Sequence, residues 1–445
     1  MKVVIIGAVA GGMATAAKLK RNNKEVEVVV YEKGEEVSYG ACGLPFYISD
    51  IIKNDTDLYA RSIEDFIHDG IDLHIYHEVI EVNSDEKKVK VKNTKTGKSF
   101  WDSYDNLVIA SGASVNNRGV LNHEADNYFG IRQVADAYQV KQGLQSNTIE
   151  EVVVIGAGFI GIEMLEPLLK YKKKVTLIQR EERIFLNVDW DIADKVEQII
   201  KDKGVTVHTD ANLLRFNTEG KNIHSVVIEK DGQEMEINAQ LVLNCAGITP
   251  NTKFITNIDK APNGAIKVNE AMETSIPGIY SAGDCSIMKS AVTKQYEYAP
   301  LGTNANKQGR IIADILGGKM PKPFKLLQSM ALKLFDFDVG CIGLTEEKAK
   351  QLNIPYLAHT ITGNSYAGYY SHEKVTIKVI YDPTSRKILG VQCIGQGTVV
   401  PRANYYAVAI YSGLTVDEMG MMDFAYSPPF NGVWDVAQIA SNTIK

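Results

Sequence analysis

An unbroken apolar run from Val3 to Ile6 meets glycines at Gly7, Gly11 and Gly12, continues as small and apolar residues at helical spacing, and ends in a second apolar run before Glu32. The same order returns later in the chain. Val152 to Ile155 leads into Gly156, Gly158 and Gly161, then a helical stretch, then a strand-like run from Val175 to Ile178. A run that is apolar throughout fits a strand covered on both faces, and strand, glycines, helix and strand at this length make a βαβ unit. Two such units predict two bound nucleotides. From about Leu326 the texture changes to alternating apolar and polar positions around a short helix, and an amphipathic helix begins near Pro401. The expected fold class is α/β: two Rossmann-like dinucleotide-binding domains followed by a C-terminal α+β domain suited to dimerisation.

Each glycine position has a physical task. The first, Gly7 or Gly156, makes the tight turn after the strand; the last, Gly12 or Gly161, lets helix and strand pack closely. The helix N-terminus then faces a pyrophosphate with free N–H groups and a positive dipole end. The second loop is complete, with Phe159 and Ile160 between its last two glycines. In the first, flanked by Ala8 and Ala10, Val9 takes the middle position. Glu32, followed by Lys33, closes the first unit where a carboxylate accepts ribose hydroxyls.

At 445 residues the chain exceeds what one core usually holds, so two or three domains are expected. A formal net charge of -6 argues against nucleic acid, whose phosphates call for clustered Lys and Arg. No apolar run approaches the roughly 20 residues of a spanning helix, and the first residues lack a cleavable signal pattern. A cytoplasmic protein without a membrane partner is expected. The 5 cysteines have no paired spacing, which fits neither a disulfide framework nor a metal site. One of them, Cys42, stands alone in SYGACGLPFY (38–47).

Three further segments complete a pattern. ETSIPGIYSAGDC (273–285), YDNLVIASGA (104–113) and NCAGITPN (244–251) resemble, in order, segments of the flavoprotein disulfide reductases that bind two dinucleotides. The resemblance covers essentially the whole chain. It implies an FAD-binding domain from residues 1–112 and 247–325, an NAD(P)-binding domain at 113–246, and a dimerisation domain at 326–445. FAD would be held by the first glycine loop, Glu32, Ser111, Gly112, Gly283 and Asp284. Pro300, Leu301 and Ala305 would lie where a helix N-terminus meets the flavin. The nicotinamide cofactor would lie on the second loop, Gly247, Gln179 and Arg180. An acid at the end of this unit repels a 2′-phosphate and Arg attracts it. With Gln179, Arg180 and Arg183 there, NADPH is the expected donor, and dual use with NADH stays open.

Relatives such as glutathione reductase carry CxxxxC and a C-terminal His-Glu pair; this chain has neither, and Tyr47 stands where the second cysteine would be. A single thiol can cycle through a sulfenic acid or a mixed disulfide with a small thiol. Oxidase and peroxidase relatives carry a His in the first glycine loop, and GAVAGGMATA has none. SYAGYYSHEK (365–374) and FAYSPPF (424–430) are similar to segments by which coenzyme A-disulfide reductases bring tyrosines to the partner subunit's cysteine. That implies roles for Tyr369 and Tyr426, with Tyr370 a close rival, and a CoA site that includes Arg21, Ser38 and Cys42. Ala41 replaces an Asn of that group. The expected activity is reduction of CoA disulfide by NADPH through FAD and a Cys42–CoA mixed disulfide in a homodimer, with Cys42 at lowered pKa. Three alternatives remain: an NADH oxidase working through a sulfenic acid, a persulfide or polysulfide reductase, and a flavin-containing redox sensor.

Overall fold

The computed structural model describes residues 1–116 and 124–445. Lys2–Ile6 is the middle of a five-stranded parallel sheet ordered Ile279–Ser281, Asn106–Ile109, Lys2–Ile6, Glu27–Tyr31, Asp72–His74. Val3, Val4 and Ile5 are wholly buried, as the continuous apolar run requires. The helix Ala10–Asn22 follows this strand and packs along the helix Gly302–Leu316.

The second unit builds a matching parallel sheet ordered Thr206–His208, Lys174–Ile178, Glu151–Ile155, Leu241–Asn244, Tyr128–Phe129. The chain leaves the first sheet after Asn106–Ile109 and rejoins it at Ile279–Ser281. On the way out and back, Ala113–Val115 and Ile248–Pro250 pair antiparallel, so the outgoing and returning segments lie side by side. Two three-stranded antiparallel sheets, His77–Ser103 and Asn212–Asn238, are also present.

The C-terminal part forms a five-stranded antiparallel sheet ordered Met330–Leu334, Phe337–Gly343, Ile388–Gly395, Lys374–Tyr381, Leu357–Asn364. The helix Val399–Ser412 packs on it. Its junction with the second unit combines a shared apolar core, with Leu332, Leu334, Val339 and Ile394 against residues of that unit, and an ionic cluster. Lys378, buried on this sheet, reaches Asp189 at 3.2 Å, Asp191 at 2.7 Å and Glu346 at 2.5 Å. Burial works against this ammonium, but hydrogen bonds to Asp191 and Glu346 and the charge of Asp189 push its pKa up. Among the described residues, no helix is long and apolar enough to cross a membrane.

Candidate active site

The two glycine loops repeat each other in detail. Gly7 and Gly156 turn with φ of 98° and 96°, a region that residues with a Cβ rarely enter. A Cβ on Gly12 would lie 1.8 Å from the Gly7 carbonyl oxygen, and one on Gly161 2.0 Å from that of Gly156. Only residues without side chains allow this approach. The middle positions diverge: Gly158 faces open space with φ -87° and ψ -168°, whereas Val9 takes φ -106° and ψ -136°. Val9 therefore gives the first loop a different backbone approach.

At the strand ends the repeat continues. Glu32 accepts from the Ala8 N–H at 2.8 Å and the Gly34 N–H at 2.9 Å. Gln179 accepts from the Ala157 N–H at 2.9 Å, the same brace in the second unit, and its Nε2 donates to Glu181 at 2.6 Å. Glu181 also pairs with Arg180. Gly156, Gly158, Gln179, Arg180, Glu181 and Gly247 line one cavity of about 410 Å³. An acid is thus present after all, two positions beyond where the sequence reading sought it. Arg183 requires the opposite correction. It is buried, donates to the Val188 carbonyl at 2.8 Å, pairs with Glu347, and does not line the cavity.

A second cavity, of about 490 Å³, joins the first loop to Cys42. Gly7, Val9, Ala10, Gly11, Glu32 and Lys33 line one part of it. Cys42, Ser111, Gly112, Gly283, Asp284, Pro300 and Ala305 line the rest. Ala8 and Gly12 are buried behind the loop, and Leu301 caps the helix Gly302–Leu316. Phe159 and Ile160 open the helix Phe159–Lys170 of the second unit. Arg132 also lines the Cys42 cavity and donates to Asp284 at 2.8 Å. Sequence reasoning missed it, since the residues around it carry no motif. The turn that only glycine permits, the open helix N-terminus and the braced Glu32 carboxylate fit a dinucleotide such as FAD.

Cys42 sits in the one-turn helix Ala41–Gly43 and is exposed. Although the residue reaches solvent, crowding around its sulfur pushes the thiol pKa up; the carboxylates of Glu163 and Asp284 add to this. The Arg132 guanidinium and the Gly302 N–H act the other way. The lowered pKa expected from sequence is therefore corrected for the chain by itself, because burial and two carboxylates outweigh one cation and one amide. The helix that begins at Gly302 nevertheless turns its N-terminal amide toward this sulfur. Glu163, which sequence reasoning also missed, is itself pushed up to about 7 by burial. Cys285, Cys341 and Cys393 are buried in the cores, and burial pushes the Cys245 and Cys341 thiols up to about 12. Tyr47 is a core residue packed under the Lys141 ammonium.

The two C-terminal tyrosine segments come together on the surface. The Tyr369 and Tyr426 hydroxyls are 3.2 Å apart, with the residues 81% and 45% exposed. This hydrogen bond raises the pKa of Tyr426. Tyr370 instead packs edge-on against Tyr366. Ser38 lies beside the first loop, its N–H donating to the Ala8 carbonyl at 2.8 Å. Arg21 is exposed in the last turn of the helix Ala10–Asn22, roughly 15 Å along the axis from its start, and does not line the Cys42 cavity.

Comparison with known proteins agrees with this geometry. The pyridine nucleotide-disulphide oxidoreductase family matches residues 1–309, and its dimerisation domain matches residues 330–437. An NADH oxidase of Enterococcus faecalis is 30% identical over 439 residues, covering 98% of this chain and 97% of that protein. A coenzyme A disulfide reductase of Staphylococcus aureus is 30% identical over 435 residues, covering 97% and 96%. The crystal structure of reduced Bacillus anthracis CoADR-RHD superposes with a TM-score of 0.94 at 32% identity, over 99% of this chain and 79% of that one. With two nucleotide-binding loops, a cysteine in the cavity that runs on from the first of them, and a matched dimerisation domain, the chain belongs to the pyridine nucleotide-disulphide oxidoreductase family, enzymes that bind FAD and NAD(P)H.

Proposed function

We propose that this chain reduces coenzyme A disulfide with NAD(P)H as a homodimer, through a mixed disulfide at Cys42. The observation that carries the reading is the isolation of that thiol. Cys42 lines the same cavity as the first dinucleotide loop, and no other cysteine among the described residues lines it. The second sulfur of a disulfide cycle must then come with the substrate.

Relatives at 30% identity include both a coenzyme A disulfide reductase and an NADH oxidase, so the names do not separate the oxidants; one observation favours coenzyme A. The helices Ala10–Asn22 and Gly302–Leu316, whose N-termini lie at the Cys42 cavity, also border a cavity of about 750 Å³ lined by Lys307, Arg310, Lys322 and Lys325, together with Lys18 paired to Asp314. Such a surface suits a phosphate-rich substrate, and oxygen needs none.

The first glycine loop, Glu32, Ser111, Gly112 and Asp284 would hold FAD, and the second loop with Gln179 and Gly247 would hold the nicotinamide nucleotide. FAD, when bound, supplies a relay for two electrons from NAD(P)H to sulfur. The Cys42 thiolate attacks one sulfur of CoA disulfide, so that a Cys42–S–CoA bond forms as the substrate's S–S bond breaks. The departing CoA thiolate takes a proton from Tyr426 or Tyr369 of the partner subunit, and the phenol regains one from solvent. The hydride of NAD(P)H then supplies two electrons that break the mixed disulfide and a proton that leaves with the second CoA, restoring the Cys42 thiolate. The Gly302 N–H stabilises that thiolate in both halves of the cycle.

The oxidase reading also has an observation in its favour, a curated relative at 30% identity named NADH oxidase. Steady-state assays separate the two: the proposal predicts rapid NAD(P)H oxidation with CoA disulfide under anaerobic conditions, abolished by Cys42→Ser. Oxygen consumption as fast as that turnover would replace this reading with the oxidase.

A further inference from the structure

We propose that Arg402 is a positioning residue for the tyrosine pair, an inference that rests on the role proposed above for Tyr369 and Tyr426. Arg402 lies inside the helix Val399–Ser412 and is 1% exposed; its partner Asp435, which caps the helix Val436–Asn442, is 2% exposed. Its N–H groups are shared among three segments. Nε and Nη2 each donate to the Asp435 carboxylate at 3.0 Å. Nη1 donates to the Thr398 carbonyl at 3.0 Å and hydroxyl at 2.5 Å. Nη2 also reaches the carbonyls of Ser365 at 2.6 Å and Phe430 at 3.4 Å.

Those last two carbonyls are the informative ones. Ser365 is the first residue of SYAGYYSHEK and Phe430 the last of FAYSPPF, so one guanidinium ties the first tyrosine-bearing loop by a short bond to Ser365 and the second through Asp435, which follows it, with a weak shared contact to Phe430. Each loop is closed on itself: the Ser365 N–H donates to the Glu373 carbonyl at 2.8 Å, and Asn431 Nδ2 to the Ala425 carbonyl at 3.0 Å. The loops also meet directly at the phenol pair and at a long contact from the Ala367 N–H to the Pro428 carbonyl at 3.4 Å. Beyond those two contacts, Arg402 is the polar link between the loops among the described residues. A buried ion pair rarely stabilises a fold more than an apolar pair of the same volume would, and its best-attested use is to fix register. Here the register is the 3.2 Å separation of the two phenols.

The test uses FAD-loaded Arg402→Lys, which keeps the charge and loses the fork, and the milder Asp435→Asn. A Tyr369→Phe/Tyr426→Phe double variant serves as reference. Stopped flow follows reduction of the flavin by NAD(P)H and its reoxidation by CoA disulfide. Reduction is expected to stay within about twofold of wild type, while reoxidation falls at least about tenfold and falls no further when Arg402→Lys is added to the double variant. In cofactor-free Arg402→Lys protein, the Ala367 amide is expected to exchange its hydrogen faster. A lower melting temperature with both half-reactions unchanged, an equal slowing of both, or an unchanged Ala367 amide would each overturn the positioning role. Wild-type reoxidation in the double tyrosine variant would remove the tyrosine role itself, and the inference with it.

Discussion

Ionisation of Cys42 is set by a small number of neighbours, so it can be moved by one substitution. Glu163 is charged by the time the thiol titrates, since its own carboxyl is pushed up only to about 7. Removing that charge with Glu163→Gln should shift the pH midpoint of Cys42 alkylation by iodoacetamide downward, leaving the larger effect of burial in place. An unchanged midpoint would mean that Glu163 does not govern the thiol. The same substitution has a stability signature. A raised carboxyl pKa favours the neutral form, so its contribution to stability is full below the ordinary value of 4.5 and is lost as pH rises through about 7. Glu163→Gln should remove that slope from urea midpoints measured across the same window. A second residue, Glu181, places a negative charge in the nicotinamide-nucleotide cavity. Glu181→Gln should raise the NADPH-to-NADH ratio of kcat/KM by about five- to tenfold, because a 2′-phosphate no longer meets a carboxylate. A ratio that stays the same would place the 2′ position elsewhere. Cys42, Glu32 and the tyrosine segments stood out in the sequence because each sits in a local motif, and the fold places Cys42 and Glu32 on one cavity and the Tyr369 and Tyr426 hydroxyls side by side. Arg132 could not: it meets Asp284 across a separation of 152 positions. Arg183 misled for a related reason, since its burial against Glu347 depends on a helix of the C-terminal domain.

At the scale of elements, the two glycine loops make different demands on neighbouring positions. A methyl group on Gly158 meets open space, whereas one on Gly161 meets the Gly156 carbonyl at 2.0 Å. Gly161→Ala should therefore cost about 1–3 kcal/mol by thermal or urea unfolding, and Gly158→Ala should leave stability within about 0.5 kcal/mol while weakening NAD(P)H binding. Equal destabilisation by the two would contradict the close strand–helix approach. The parallel strands were plain in the sequence because a strand buried on both faces must be apolar throughout. The three-stranded sheets were not, because strands such as Lys88–Asn93 show the alternation over only 6 residues, with two buried valines among lysines, too short to stand out from a charged surface. The helix starting at Gly302 was expected at the right place, but its amide faces the Cys42 sulfur, a contact that joins segments far apart in the chain.

For the whole molecule, the proposal requires two subunits to build one site. If Tyr369 and Tyr426 act on the partner's Cys42, Cys42→Ser and Tyr369→Phe/Tyr426→Phe subunits fail separately and complement when mixed. Random reassociation makes half the dimers mixed, each with one intact site of two, so about a quarter of wild-type turnover should return. No recovery on subunit exchange would place the tyrosines' action within one chain. The order of domains and the presence of a dimerisation domain were legible because the motifs occur in family order. The ionic junction around Lys378 was not, because Asp189, Asp191, Glu346 and Lys378 look like ordinary surface charges until the fold brings them together. The central claim, that the second sulfur of the cycle is carried by coenzyme A, is tested most directly by intact-protein mass spectrometry of the enzyme after exposure to CoA disulfide, before and after a thiol reductant. The account predicts one added CoA per Cys42, removed by reductant and absent from Cys42→Ser; a single added oxygen at Cys42 with no CoA adduct would contradict it.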